Sequence, residues 1–182
     1  NSSSRLPNKA FMKIKENLTS IDIVIERAKK TKLPVILATS TDSNDDVFEQ
    51  VAREHNIEIF RGSLVNKIKR WYDCFLKFKI NHALFVDGDD ISSNNEIGLR
   101  ALSKLKSNDL DIVGSPDNIV TGFFTYAISK SGLLKIYDVA HSFSIHHQHQ
   151  WHGCENLGSP LLVMLPSHEL VNPPKDTNWP YF

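Results

Sequence analysis

A three-layer α/β/α domain with a mainly parallel, Rossmann-like sheet is the fold this sequence predicts. Three observations support it. Helical and strand periodicities alternate from Ile21 to Gly114. The strand segments are short, continuously apolar runs, as expected where both faces of a sheet are covered. Polar, acid-rich stretches follow the strands, at the sheet edge where such folds take their ligands.

The elements follow in order. Ile21, Val24, Ile25 and Ala28 fall on one helical face, with Glu26, Arg27, Lys29 and Lys30 on the other. Leu33 to Ala38 is a buried strand, and Asp45 to His55 returns to a helical period through Val47, Phe48, Val51 and Ala52. Ile57 to Phe60 is the next strand, closed by Arg61-Gly62-Ser63. Ile68, Trp71, Tyr72, Phe75 and Leu76 mark a third helix, with Trp71 and Tyr72 as core packing. His82 to Val86 is a strand, Asn95 to Leu105 a helix, and Asp111 to Gly114 a further strand. Such alternation means βαβ units. Gly122 to Tyr126 reads as one more strand, its aromatic residues facing the core.

Composition narrows the function. The 182 residues suit one domain, long enough to bury about two-thirds of the unfolded surface. Lys plus Arg and Asp plus Glu are both 21, which argues against a dedicated nucleic-acid binder. No apolar stretch approaches a membrane span and no secretory signal is visible. Cys74 and Cys154 stand far apart outside any metal or redox motif, as in a reduced, cytoplasmic protein.

The candidate site begins with NSSSRLPNK, residues 1 to 9. Small polar residues leave backbone N–H groups free to point at a ligand, Arg5 and Lys9 add positive charge, and Pro7 restrains the turn. A polyanion such as a nucleoside triphosphate fits that chemistry. At the strand ends lie Thr39-Ser40-Thr41-Asp42, Arg61-Gly62-Ser63 and Asp87-Gly88-Asp89-Asp90. Clustered carboxylates beside a buried strand suit Mg²⁺, which binds through one or two carboxylates plus substrate phosphates. His141, His146, His147, His149 and His152, followed by Cys154, read as a transition-metal site, as a polar loop over a sugar pocket with Trp151, or as a segment with no role in the site.

The order SSSRLPNK, SIDIVIERA, VILATSTDSNDD, IEIFRGS and FVDGDD resembles the cytidylyltransferases that activate acidic sugars. These are the N-acylneuraminate and nonulosonate, 3-deoxy-manno-octulosonate and spore-coat-polysaccharide types. The resemblance implies a nucleotidyltransferase sheet and transfer of CMP from CTP to an acidic sugar, with Mg²⁺ as cofactor and release of pyrophosphate. It implies triphosphate contacts at Arg5 and Lys9, and backbone contacts at Ser3 and Ser4. Thr39, Asp42, Arg61 and Arg70 join the nucleotide side, with a structural ion pair as the other reading of Arg61. Asp89 matches the family's metal aspartate, while Asp87 and the late Asp176 are its candidate companions. The catalytic set is Arg5, Lys9 and Asp89. Residues 1–115 would form the nucleotide-binding part and 116–182 the acceptor-binding part, with a possible homodimer interface.

Departures from the family pattern are visible. The family loop follows a hydrophobic strand, so the resemblance implies a first strand missing from this sequence. Leu64-Val65-Asn66-Lys67 replaces the acids that often follow FRGS, and Asp90-Ile91-Ser92 stands where a Pro is usual. Two alternatives stay open: a glycosyltransferase using Asp87-Gly88-Asp89 as its metal motif, and a non-catalytic nucleotide-binding homologue.

Overall fold

The structure, a computed structural model, describes residues 9–15, 17–115, 120, 122–124, 126–146 and 160–165, with 141–146 and 160–165 described by backbone alone. Two short strands, β1 (Lys13–Lys15) and β2 (Leu18–Thr19), pair antiparallel and lead into helix α1 (Ser20–Lys29). Then follow β3 (Val35–Ser40), α2 (Val47–His55), β4 (Glu58–Gly62), α3 (Lys67–Phe78), β5 (His82–Asp87) and α4 (Asn95–Ser107). β6 (Ile112–Gly114), β7 (Tyr126–Ser129), α5 (Lys130–His146) and β8 (Pro160–Leu165) complete the described order.

The main sheet has six strands in the order β4-β3-β8-β5-β7-β6. β3 and β4 are parallel, whereas β8 is antiparallel to both β3 and β5, and β7 is antiparallel to both β5 and β6. Hence β3, β4, β5 and β6 run one way, with β7 and β8 reversed between them. The expected α/β sheet is present, and β8 holds its centre, between β3 and β5.

Alternation along the strands divides the core into two layers. Leu37, Leu84, Val86 and Ala127 face α1, α2 and α4, where they meet Ile21, Val24, Ile25, Phe48, Ala101 and Leu105. Ile36, Ala38, Ala83, Phe85 and Ile128 face the other way, onto Trp71, Cys74 and Phe75 of α3 and Leu133 of α5. The expected core role of Trp71 and Tyr72 holds: Trp71 packs 4.6 Å from the Phe85 ring, and Tyr72 stacks on Tyr137 at 4.7 Å. Cys74 lies fully inside, and burial pushes its thiol up to about 12, which leaves it an inert core residue.

The strand expected over Gly122 to Tyr126 is displaced: β7 starts at Tyr126. Gly122 has φ +89°, a left-handed turn conformation that an extended strand does not accommodate. Similarly, His141 and His146, expected in a loop, belong to the backbone of α5; His147, His149, His152 and Cys154 lie outside the described residues.

Helix α5 starts in close contact with the chain ahead of β6. The Ser129 N–H donates to the Asp111 carbonyl at 2.9 Å, and the Gly132 N–H donates to the Ser129 hydroxyl at 3.0 Å. A Cβ on Gly132 would stand 2.3 Å from the Asp111 carbonyl oxygen, against backbone that cannot swing aside. Gly132→Ala is therefore expected to destabilise the fold by about 1–3 kcal/mol, read by denaturant unfolding.

His82 opens β5 at the edge remote from the strand carboxyl ends. Burial, aided by the nearby Lys106 charge, holds its imidazole below the usual value. The unfolded chain therefore takes up the proton first, so this contribution to stability is intact above about pH 6.5 and fades as pH falls below it. Between pH 7 and pH 5, thermal stability should fall less in His82→Gln than in the parent. Equal losses in both proteins would assign the acid sensitivity elsewhere.

Candidate functional site

The carboxyl ends of β3, β4 and β5 share one edge of the sheet, and the N-termini of α2, α3 and α4 begin just beyond them. Each short connection there is held by a side chain acting on backbone. Asn66 caps α3 by accepting from the Lys69 N–H at 2.8 Å, and Asn94 caps α4 by accepting from the N–H groups of Glu96 and Ile97. Ahead of α1, the Ser20 hydroxyl donates to the carbonyls of Lys9 and Ala10 at 2.6 and 2.8 Å. That anchor brings Lys9 to the sheet edge.

Lys9 and Asp89 meet there. The Lys9 ammonium lies 2.6 Å from Asp89 Oδ2, joining residues eighty positions apart. Asp89 sits in the tight turn after β5, where the Asp90 N–H donates to the Asp87 carbonyl and the Ile91 N–H to that of Asp89. Asp87, the last residue of β5, pairs with a different cation: Lys67 Nζ lies 3.3 Å from its Oδ1. Lys67 is only 7% exposed, and its ammonium rests 4.8 Å from the centre of the Trp71 ring. The sequence reading placed Lys9, Asp87 and Asp89 in one site; in the structure Lys9 pairs with Asp89, while Asp87, two residues earlier, pairs with Lys67. It missed Lys67. The available signal was its spacing, one turn of α3 ahead of Arg70, on the same face as Trp71.

Other candidates take up structural positions. Thr39 is fully buried and donates its hydroxyl to Asp45 Oδ2 at 2.8 Å, an acceptor it shares with the Ser40 hydroxyl and N–H. This bonding closes the β3–α2 turn, so Thr39 supports the edge from within instead of lining it. Asp42 caps the short turn Ser43–Asp45 by accepting from the Asn44 N–H at 2.8 Å. Arg61 is the brace of the same corner. Its guanidinium donates to the carbonyls of Ser40 and Asp42 and contacts Glu49 and Asp46 at 2.7 and 2.6 Å. Glu49 foremost, then Asp46, hold its proton more firmly than usual. Of the two readings open for Arg61, the geometry matches the structural ion pair.

Arg70 is 5% exposed and reaches the Ser63 carbonyl from Nη1 at a long 3.4 Å, while its buried Nε has no hydrogen-bond partner. Burial lowers the affinity of this guanidinium for its proton, with the Asp45 carboxylate acting in the opposite sense. Ser3, Ser4, Arg5 and Asp176 lie outside the described residues. Among the described residues, no group of three or more His, Cys, Asp or Glu side chains assembles for a metal, and no helix is long and apolar enough to cross a membrane.

A twice-covered α/β sheet with lysines and carboxylates gathered at its strand ends has the build of a nucleotide-binding protein. The chain belongs to the cytidylyltransferase family, whose family model matches residues 1–145. It is also 26% identical over 135 residues to an uncharacterized protein of Methanocaldococcus jannaschii, an alignment covering 73% of this chain and 55% of that one. In fold it resembles a cytidylyltransferase from Leptospira borgpetersenii serovar Hardjo-bovis, with a TM-score of 0.69 and 20% identity over 76% of this chain and 60% of the other. The chain therefore spans less than two-thirds of the length of either relative.

The brace reading of Arg61 has a direct test. Arg61→Ala should reduce stability by about 1–3 kcal/mol, towards the low end because the pairs are partly solvated. Unchanged denaturant unfolding in this variant would remove the brace role from Arg61.

Proposed function

We propose that this chain transfers CMP from CTP to an acidic sugar with release of pyrophosphate, Mg²⁺-dependent, as a CMP-sugar synthetase of polysaccharide biosynthesis. The observation that bears the proposal is the Lys9–Asp89 pair at the carboxyl edge of a cytidylyltransferase-family sheet. A triphosphate needs a fixed cation, and its metal needs a carboxylate. Arg5 and Lys9 would supply the first, and Asp87 and Asp89 the second.

Attack by a sugar oxygen on the α-phosphorus builds negative charge on the phosphate oxygens and on the departing pyrophosphate. Lys9, together with Arg5, would hold that charge, and the residues position the reactants without forming a covalent intermediate. Asp87 and Asp89 fit Mg²⁺, because both are hard oxygen donors at the end of one buried strand, and Asp176 is the proposed third carboxylate. When bound, the ion would neutralise charge on the phosphates. Ser3, Ser4, Asp42 and Arg70 remain the proposed nucleotide contacts, with Thr39 and Arg61 acting through the turn they hold. The setting proposed is the cytoplasm, with CTP and the sugar as partners and a homodimer as the assembly.

The test is pyrophosphate release from CTP with Mg²⁺ across a panel of acidic sugars, set against a panel of nucleotide sugars. Asp89→Ala and Lys9→Ala should each lower the rate by about a hundredfold or more. Parent-like turnover in either variant would overturn the assignment.

A further inference from the structure

His55, the last residue of α2, is a titratable group with no part in the chemistry proposed above. Its ring lies against α1 and shows one nitrogen to each of two carboxylates. Nε2 is 2.8 Å from Asp22 Oδ1, and Nδ1 is 3.2 Å from Glu26 Oε1. The His55 side chain is 14% exposed and that of Asp22 19%, so the inner contact is largely shielded from water, whereas Glu26 is the open partner. A carboxylate oxygen only accepts, so the ring donates through whichever nitrogen carries the proton, and through both when it is charged. Lys29 ties the same corner by a separate route, donating to the His55 carbonyl at 3.2 Å.

Asp22 divides its two oxygens between two tasks. Oδ1 faces His55, while Oδ2 accepts both the N–H and the hydroxyl of Thr19, at 2.8 and 2.6 Å. Thr19 is the N-cap of α1, so this carboxylate fixes where the helix begins. Burial works against the charge of Asp22, yet the Thr19 hydroxyl and His55 outweigh it and hold the carboxyl below its usual value. The next residue, Ser20, donates its hydroxyl to the carbonyls of Lys9 and Ala10 and its N–H to that of Met12 at 3.0 Å. A continuous path of direct bonds thus runs from His55 through Asp22 and the start of α1 to the backbone of Lys9, whose ammonium stands on Asp89. Helix α2 meets the same segment at a second point, where the Phe11 ring packs 5.3 Å from that of Phe48.

We propose that His55 is a positioning residue for Lys9: through Asp22 it fixes the first turn of α1, and through Ser20 that turn aims Lys9 at the phosphates of the nucleotide. This rests on the reading of Lys9 as a triphosphate contact. His55 itself touches no nucleotide, and its effect passes through the helix start to one ammonium. Without the ring, Asp22 Oδ1 loses its donor, the carboxylate is free to turn from Thr19 towards water, and the N-cap loosens. Residues joined in this way respond together to substitution, not independently. The two ring nitrogens are also separable. Gln carries its amide nitrogen as many bonds from the backbone as Nε2, and Asn only as many as Nδ1.

Equilibrium binding of CTP with Mg²⁺ is the test. His55→Asn, which serves Glu26 but not Asp22, should weaken CTP binding about fivefold or more. His55→Gln, which still reaches Asp22, should stay within about twofold of the parent. In a Lys9→Met background the Asn substitution should cost nothing further. A clamp that merely joined α1 to α2 would give equal losses for Asn and Gln, or the same loss with and without Lys9, and either result overturns the proposal. If Lys9→Met weakens CTP binding while His55→Asn does not, the role of His55 falls and the proposed function stands. If Lys9→Met binds CTP as tightly as the parent, the triphosphate reading of Lys9 falls and takes this proposal with it.

Discussion

Charge compensation at the carboxyl edge of the sheet is the constraint on which the rest of the site depends. Asp45, Lys67 and Arg70 are each at least nine-tenths buried, and an ion removed from water that far costs several kcal/mol unless it is paired. Asp45 is bonded by Thr39 and Ser40, Lys67 by Asp87, and the more open Asp89 by Lys9. These pairings decide where the connections go. Lys9 reaches Asp89 because Ser20, the first residue of α1, fixes the backbone of Lys9 and Ala10. The β3–α2 turn closes on Asp45, and Arg61 locks its outer side through Ser40 and Asp42.

The two halves of the described chain differ in how much their sequence reveals. From Ile21 to Val113 the core is built from local patterns: the apolar face of α1, the buried run of β3, the alternation of β5. Each pattern is complete within about a dozen residues, so periodicity alone recovers it. β7 and β8 are different. They run against their neighbours and join the sheet through register, with Leu84 opposite both Ala127 and Val163, and no local pattern specifies such distant partners. The turn at Gly122, set against the Asp90 carboxylate, likewise depends on contacts outside its own segment.

Site residues follow the same rule. The placing of Lys9, Asp87 and Asp89 at the sheet's carboxyl edge was legible because charged residues beside a buried apolar run mark where the strand ends. Thr39 and Arg61 also stand near strand carboxyl ends, yet their polar groups are taken up by Asp45 and Glu49. Whether a hydroxyl at the last turn of a strand points to ligand or to its own loop depends on which acid folds back against it. Lys67 was hidden for the opposite reason. A lysine at a helix start looks solvated in sequence, and only the packing of Trp71 against Phe85 draws it inward to Asp87.

This arrangement reconciles stability with recognition. An edge with bare carboxylates would repel a triphosphate, and one with bare lysines would repel its metal. With Lys9 on Asp89 and Lys67 on Asp87, the edge holds opposite charges side by side. The two pairs are also unequal. Lys9 is 20% exposed and Asp89 is 37% exposed, so water can screen them if they separate; Lys67 at 7% has no such relief. The outer pair can therefore open at smaller cost than the inner one. The packing of α3 on β5 thereby decides which of the two pairs yields more readily.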